Sequence, residues 1–218
     1  MNSVIFGAHG QIGQRLTQRL AQNPHQYIYA VIRDSLQQQR MRQLGADEVI
    51  VANLAKPEEL NALPQATDTV IFVAGSQGTD LTHIDQNAAM HIGDLVKRQT
   101  IAHYIVLSSF GADAHSQNTT PLRDYLIAKG RADDYIQQLG IPYTLVRPGF
   151  LSNQQGTGCI ESRLSELDCR NKTIPRDDVA HILALITENR WLINECFEVI
   201  GGNTPIAESL AQLNQRAR

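Results

Sequence analysis

Val4-Ile5-Phe6-Gly7-Ala8-His9-Gly10-Gln11-Ile12-Gly13 is the stretch that decides the fold, because three evenly spaced glycines join an apolar strand to a helix. In this context Gly7 permits a tight turn, Gly10 lets the backbone approach a pyrophosphate, and Gly13 lets the helix pack against the strand. The N-terminus of that helix adds unpaired N–H groups and a positive dipole end. Residues 7–13 are therefore predicted to hold the pyrophosphate of a nicotinamide dinucleotide, with a plain glycine turn as the alternative.

Short apolar runs alternate with amphipathic stretches along the next 140 residues. The predicted strands are Val4–Phe6, Tyr27–Ile32, Glu48–Val51, Thr69–Val73, His103–Ser108 and Pro142–Val146. The predicted helices are Gln11–Gln22, Leu36–Leu44, a short one at Pro57–Leu63, His83–Gln99 and Arg123–Leu139. Repeating β–α units with short connections require parallel pairing. We therefore predict an α/β fold, a doubly wound parallel sheet of the Rossmann type.

The last third of the chain is less regular and too small for a separate domain. It is predicted to contain an extended piece at Gly158–Ser162, a helix at Asp177–Glu188, a strand at Cys196–Ile200 and a terminal helix from Pro205. Residues 1–218 are predicted to form one dinucleotide-binding domain, in which 151–218 contribute a small substrate-side region. The polar loop Phe110–Thr120 is expected to border the site.

Composition narrows the class of partner. With 42% hydrophobic and 19% charged residues and a formal charge of −3, the 218-residue chain has no basic field, which argues against nucleic acid. No apolar run approaches the roughly 20 residues of a membrane span, so we expect no membrane association and a cytoplasmic location. A small molecule is the expected partner, and monomer and homodimer both stay open.

Cysteine and histidine spacing indicates neither a disulfide framework nor a metal site. Cys159, Cys169 and Cys196 are odd in number and form no CxxC pair. The seven histidines lack ligand spacing such as HExxH. We expect reduced thiols and no bound metal.

Arg33 follows the second strand, where folds that prefer NAD usually carry an acid for the ribose 2′-hydroxyl. A guanidinium is permanently charged and binds phosphate through two N–H donors, so it suits the 2′-phosphate of NADP. The alternative is a solvated Arg33 with Asp34 turned to the ribose of NAD. NADP is the predicted cofactor, with NAD possible in that second case.

Tyr125 and Lys129 are four residues apart and share one face of a predicted helix. An ammonium beside a phenol favours the phenolate, so the pair forms a usable proton relay. Ser108 or Ser109, at the end of the fifth strand, could hydrogen-bond a substrate carbonyl. The alternative is that the pair lies on a solvated helix face.

The chain resembles the atypical short-chain dehydrogenases/reductases, near their extended, epimerase-like branch. The resemblance covers nearly the whole chain. It rests on the glycine turn, Ala74-Gly75-Ser76, Ser108-Ser109, Tyr125 with Lys129, Arg147-Pro148-Gly149 and Arg176-Asp177-Asp178-Val179-Ala180.

The resemblance implies a role for each of these positions. Ala74, Gly75 and Ser76 would pass close to the adenosine ribose, Lys129 would hold the nicotinamide ribose, and Tyr125 would be the catalytic acid. Pro148, Gly149 and Phe150 would adjoin the nicotinamide. Two positions depart from the family: Asp85 replaces an Asn of the catalytic relatives, and Asn53, followed by Leu54, replaces an Asp near the adenine.

Two classes of function follow. The first is an NADPH-dependent reductase of a small carbonyl or quinone-like compound, and a flavin-type reductase would share its cofactor site. The second is a noncatalytic NADP(H) sensor similar to the NmrA-like regulators. Epimerase chemistry is the weaker choice, because about 70 residues after the sixth strand leave little room for a second nucleotide.

Overall fold

The computed structural model describes residues 1–117, 119–164, 167 and 172–217. Its strands are β1 (Asn2–Phe6), β2 (Tyr27–Ile32), β3 (Glu48–Val51), β4 (Thr69–Phe72), β5 (His103–Leu107), β6 (Tyr143–Pro148), β7 (Phe150–Ser152), β8 (Cys159–Arg163), β9 (Thr173–Pro175), β10 (Glu195–Gly201) and β11 (Thr204–Pro205). Its α-helices are α1 (Gln11–Leu20), α2 (Gln38–Gln43), α3 (Ala89–Arg98), α4 (Arg123–Gln138), α5 (Arg176–Asn189) and α6 (Ile206–Arg216).

Nine strands form one sheet in the order β11-β8-β10-β6-β5-β4-β1-β2-β3. The seven strands from β10 to β3 run parallel, and β8 pairs antiparallel with both β10 and β11. Strands β7 and β9 form a separate parallel pair. The predicted α/β class and doubly wound parallel sheet are confirmed.

Helices cover both faces of the sheet. On one face, α1, α2, α5 and α6 bury apolar side chains that include Ile12, Leu16 and Leu20 at every fourth position of α1. On the other face, α3 and α4 pack against β4 and β5 through Ile92, Leu95 and other buried residues. The central strands β4 and β5 are buried along their whole length, which explains their unbroken apolar sequence.

The local predictions differ from the structure where elements are short or unusual. The predicted helix His83–Gln99 is a π-helical segment, Leu81–Ala88, that continues into α3. The predicted helix Pro57–Leu63 is only a 3₁₀ turn, Pro57–Glu59. Strands β7, β9 and β11 were not predicted, because two or three residues are too few to show an alternating pattern. Asn118 of the predicted loop and Cys169 lie outside the described residues.

Among the described residues, no helix combines the length and apolarity needed to cross a membrane. The same residues contain no group of three or more His, Cys, Asp or Glu side chains arranged to hold a metal ion. Cys159 and Cys196 are free thiols.

Candidate functional site

Several of the predicted site residues follow the carboxyl ends of five adjacent parallel strands. Gly7 follows β1, Arg33 follows β2, and Asn53 lies just beyond β3. On the other side of β1, Ala74 lies just beyond β4 and Ser108 follows β5. The strand order reverses direction between β1 and β4. Ligands of doubly wound sheets bind at this edge, beside such a reversal.

Two glycines of the turn are required by the fold itself. Gly7 has a positive φ of 81°, and a Cβ there would lie 2.6 Å from Cα of Ala74. A Cβ at Gly13 would lie 2.4 Å from the carbonyl oxygen of Gly7 and 2.7 Å from Cα of Ala8. Both positions therefore bring backbone segments closer together than any side chain allows.

Gly10 is less restricted than these two, because a Cβ there would make one tight contact and no contact closer than 3.0 Å. Its φ of −64° and ψ of 164° suit any residue. A Cβ would meet only the Gly7 carbonyl oxygen, at 3.1 Å. Gly10 is exposed and precedes α1, which has no side-chain cap and no acid in its first turn. The open cradle in front of α1 therefore fits a pyrophosphate, since a side chain at Gly10 would fill the space that the phosphates need.

The remaining residues of the turn support its shape. Ala8 is buried and donates its N–H to Val31 at the end of β2 (3.2 Å). The carbonyl of His9 accepts a hydrogen bond from the Gln14 side chain (2.7 Å). Gln11 is exposed and Ile12 is buried in the core.

Two exposed arginines lie beyond β2. Arg33 follows the strand directly, and Arg40 on α2 donates from Nε to Oε1 of Gln14 (3.1 Å). The Asp34 carboxylate caps the turn that follows it by accepting from the N–H of Leu36 (2.9 Å). Oδ1 of Asp34 is therefore engaged by a backbone N–H two residues further along the chain. Arg40 was not predicted, because its approach to the turn depends on how α2 packs.

Asn53 and Leu54 lie in the segment that follows β3. Oδ1 of Asn53 accepts from the N–H of Ala55 (3.1 Å), and the N–H of Asn53 donates to Glu59 (2.9 Å). That backbone hydrogen bond is the largest cause of the lowered pKa of Glu59. Leu54 is half-buried against the core on the α3 side. The Asn53 side chain therefore shapes a local turn.

Asp85 connects the Ala74-Gly75-Ser76 loop to Lys129. Its Oδ2 accepts from the N–H of Ser76 (3.0 Å) and from the Ser76 hydroxyl (2.6 Å). Its Oδ1 lies 3.8 Å from Nζ of Lys129. The side chains of Asp85 and Lys129 are only 1% and 4% exposed. This is a buried ion pair at the carboxyl edge of the sheet.

The structure brings Tyr125 and Lys129 together, as the sequence predicts. Nζ of Lys129 lies 6.0 Å from the centroid of the half-buried Tyr125 ring. The same ammonium donates to the carbonyl of Leu107 at the end of β5 (3.1 Å). Because Lys129 is buried and anchored to the sheet, the pair does not lie on a solvated helix face.

Ser108 contacts Asp133, which sequence reasoning missed, and Asp133 in turn binds Arg147. The Ser108 hydroxyl donates to Oδ2 of the fully buried Asp133 (2.7 Å). Arg147 binds the same Oδ2 through Nε (2.9 Å) and a second guanidinium nitrogen (2.8 Å). The helical spacing could have identified Asp133, since it continues the Tyr125–Lys129 face by four more residues.

Ser109 and the Pro148-Gly149-Phe150 segment complete this end of the site. The Ser109 hydroxyl donates to the Phe110 carbonyl (3.2 Å), and the Phe110 N–H donates to Pro148 (3.0 Å). A Cβ at Gly149 would lie 2.9 Å from both Ile200 and the Lys172 carbonyl. Phe150 is 54% exposed and therefore presents an apolar ring beside the strand ends.

Comparison with known proteins agrees with this geometry. A family model described as NAD(P)H-binding matches residues 7–190. The chain is similar to the uncharacterized sugar epimerase YhfK of Bacillus subtilis (strain 168), with 34% identity over 218 residues that cover 98% of this chain and 100% of the relative. It is also similar to sanguinarine reductase of Eschscholzia californica, with 22% identity over 90% of this chain and 87% of the relative.

Solved structures share the fold. A Bacillus halodurans protein assigned to the NAD-dependent epimerases/dehydratases has a TM-score of 0.87 and 32% identity, covering 98% of this chain and 100% of its own. A short-chain dehydrogenase/reductase of Veillonella parvula DSM 2008, solved in complex with NADP, has a TM-score of 0.69 and 17% identity, covering 94% and 96% of the two chains.

Proposed function

The chain belongs to the NAD(P)H-binding family, and from that premise we propose that it is an NADPH-dependent reductase of a small carbonyl or quinone-like substrate. The observation that carries the proposal is the buried Lys129 ammonium, anchored at the end of β5 within 6.0 Å of the Tyr125 ring. A protein that only binds a dinucleotide has no need of this pair. Membership of the atypical short-chain dehydrogenases/reductases and a cytoplasmic location are parts of the same proposal.

Each residue has a distinct task in the proposed reaction. NADPH, when bound, supplies a hydride to the substrate carbon. Gly10 and the N-terminus of α1 bind the pyrophosphate. Lys129 holds the nicotinamide ribose beside the Tyr125 ring, and the Tyr125 hydroxyl gives its proton to the substrate oxygen. One hydride and one proton convert a carbonyl to an alcohol, and Tyr125 must then recover a proton from solvent.

Preference for NADP over NAD is supported by three side chains beyond β2. Arg33 and Arg40 are exposed cations on the same side of the glycine turn. The Asp34 carboxylate, which would favour an unmodified ribose, caps its own turn. Two guanidinium groups suit a 2′-phosphate, which an acid in the same place would repel.

Epimerase activity, which the name of the Bacillus subtilis relative suggests, is less well supported by the C-terminal region. In the part of that region that the structure describes, β8, β10 and β11 extend the main sheet, while α5 and α6 cover it. Among the strands that the structure describes there, the short pair β7 and β9 stands outside the main sheet. This leaves little structure to bind a nucleotide attached to a sugar.

A noncatalytic NADP(H) sensor is the second candidate, and Asp85 is the observation that favours it. The resemblance to the short-chain dehydrogenases/reductases implies Asn at this position of a catalytic member, whereas both carboxylate oxygens of Asp85 face Ser76 or Lys129. A sensor would need the dinucleotide site and a partner protein but no proton donor.

One assay separates these candidates. Purified protein is incubated with NADPH or NADH and a panel of aldehydes, ketones, quinones and flavins, and cofactor oxidation is followed by absorbance. A reductase consumes NADPH with at least one acceptor, and Tyr125→Phe reduces kcat by about 10²–10⁴-fold while NADPH affinity persists. Lys129→Met should lower both kcat and the affinity for NADPH. A Tyr125→Phe protein with normal turnover would remove Tyr125 from the mechanism, and binding without any oxidation would favour the sensor.

A further inference from the structure

Three polar side chains occupy successive turns of one face of α4 and become more buried along it. Tyr125 is half-buried, Lys129 is 4% exposed and Asp133 is fully buried. Lys129 and Asp133 bind consecutive residues at the end of β5: Lys129 binds the Leu107 carbonyl and Asp133 binds the Ser108 hydroxyl. The two contacts therefore fix the position of α4 relative to the strand end where the substrate would lie.

The contacts of Asp133 determine which way the Ser108 proton points. Oδ2 of Asp133 accepts a hydrogen bond from Nε of Arg147 and lies 2.8 Å from a second nitrogen of the same guanidinium cation, so this oxygen carries no proton. Oδ1 is buried and has no hydrogen-bond partner among the residues that the structure describes, so any proton on the carboxyl group resides there. Ser108 is therefore the donor to Oδ2 in either protonation state of Asp133. A serine hydroxyl has one proton, and its remaining capacity is to accept.

We propose that Asp133 is a positioning residue that holds the single proton of Ser108, so that this hydroxyl can only accept a hydrogen bond from bound cofactor or substrate. The inference rests on the proposed reductase function. It changes the expected role of Ser108, which cannot then donate to a substrate carbonyl. Protonation of the substrate oxygen is left to Tyr125, and the Ser108 oxygen suits a ligand hydroxyl or amide N–H.

The electrostatic surroundings of Asp133 come from three elements. Lys129 faces it from its own helix, Arg147 from β6 and the Cys196 thiol from β10. Burial raises the pKa of Asp133, and the positive charge of Arg147 and the Ser108 hydrogen bond oppose that rise. Burial also raises the pKa of Cys196 to about 12, so the thiol stays neutral. Beyond this group, Asp85 faces Lys129 and Glu198 faces Arg147.

The first test needs no substrate. Carboxyl ¹³C NMR of aspartate-labelled protein follows the titration of Asp133, whose signal is identified by its loss in Asp133→Asn. Ser108→Ala removes a donor to the charged form, so the titration midpoint should rise by about one pH unit, a tenfold gain in proton affinity. The adjacent Asp134→Asn is the matched control and should leave the midpoint unchanged. An unchanged midpoint in Ser108→Ala would overturn the proposal.

The second test asks whether Asp133 acts through Ser108 in turnover. With an acceptor from the panel, Asp133→Asn should lower kcat by about tenfold or more and leave NADPH affinity intact. The double variant with Ser108→Ala should lose no more than Ser108→Ala alone, because the two side chains act as one unit. Independent, additive losses would contradict a positioning role. If no acceptor is reduced at all, the reductase proposal fails while the NMR titration still decides the Ser108–Asp133 contact.

Discussion

Gly10 is the residue of the turn whose identity the fold explains least. Gly7 and Gly13 must be glycine for steric reasons within the chain, whereas the backbone angles of Gly10 suit any residue and a Cβ there would meet one atom, the Gly7 carbonyl oxygen at 3.1 Å. A glycine with so few neighbours of its own indicates that something else approaches there. The pyrophosphate of the dinucleotide is the group that this position of a Rossmann turn accommodates.

Cofactor preference is decided by single residues, which a substitution can test. Arg33→Asp should weaken NADPH binding by about ten- to a hundredfold, because a charge-assisted contact to the 2′-phosphate is worth about 1.5–3 kcal/mol. NADH binding should change much less. Arg40→Ala should lower NADPH affinity in the same direction, whereas Arg98→Ala, in the last turn of α3, should have no effect. Fluorescence titration with each cofactor measures the ratio of the two dissociation constants. Equal affinity of the unaltered protein for NADPH and NADH would contradict the proposed preference for NADP.

The site residues that could be predicted are those marked by local spacing. The glycine turn, Arg33 and the Tyr125–Lys129 pair are visible in the sequence because each involves residues near one strand end or one helical turn. Asp133 continues the helical spacing of that pair, whereas Arg40 and Arg147 act through contacts between separate elements, such as the Arg147–Asp133 pair between β6 and α4. Spacing alone does not indicate which distant residue will share a buried carboxylate.

At the scale of elements, α4 carries the face formed by Tyr125, Lys129 and Asp133 and also a docked loop. A Cβ at Gly130, next to Lys129, would lie 2.2 Å from the backbone nitrogen of Ala114 and 2.3 Å from the carbonyl carbon of Asp113. The backbone N–H of Asp113 in this loop also donates a hydrogen bond to the Leu126 carbonyl (3.2 Å). The missing side chain of Gly130 therefore lets this loop pack directly on the helix that positions Lys129.

Gly130→Ala should displace the loop and destabilise the protein by about 1–3 kcal/mol, because a methyl group cannot share space with backbone atoms. Gly93→Ala in α3 is the matched control, since its Cβ would meet only side chains, nearest the terminal Leu139 Cδ1 at 2.8 Å. We expect the control to change stability by less than about 1 kcal/mol. Urea unfolding gives both values, and limited proteolysis within 110–117 reports loop release. Equal stability of the two variants would show that the loop does not depend on Gly130.

Element types with a clear hydrophobic period were predictable, whereas irregular ones were not. The first six strands and the main helices follow from alternation and from the fourfold spacing in α1. The π-helical segment Leu81–Ala88 has a hydrophobic pattern that a helix prediction reads as one continuous helix with α3. The strands β7, β9 and β11 depend on neighbours that become adjacent only after folding.

For the whole molecule, a buried histidine in the central sheet couples folding to pH. His103 on β5 is fully buried, and its Nε2 donates to Thr144, which in turn donates to the Leu192 carbonyl. Its Nδ1 has no partner among the described residues. Burial, with a smaller contribution from Arg190, lowers the pKa of His103 from 6.5 to about 4. The folded protein therefore binds fewer protons at this site than the unfolded chain does.

The stabilising effect of keeping His103 neutral is complete above about pH 6.5 and is lost as the pH falls towards 4. Across this range of pH, the free energy of unfolding changes by about 3 kcal/mol because of His103. Urea unfolding at pH 7.5, 6 and 5 should show that the free energy of unfolding falls steeply as the pH is lowered in the unaltered protein and less steeply in His103→Gln. The glutamine keeps a hydrogen-bond donor near Thr144. The exposed His25→Gln is the control and should retain the steep slope. Identical slopes in all three proteins would exclude His103 as the cause.

The central claim, that the turn after β1 binds the pyrophosphate of a nicotinamide dinucleotide, is tested most directly by calorimetric titration of NADPH into Gly10→Val. The branched side chain would occupy the phosphate cradle, and its Cβ would make one close contact, 3.1 Å from the Gly7 carbonyl oxygen. We predict that the variant keeps the unfolding temperature of the unaltered protein to within a few degrees and loses measurable NADPH binding, with Gly10→Ala intermediate. A folded Gly10→Val protein that binds NADPH with unaltered affinity would contradict the claim and leave residues 7–13 as a structural turn.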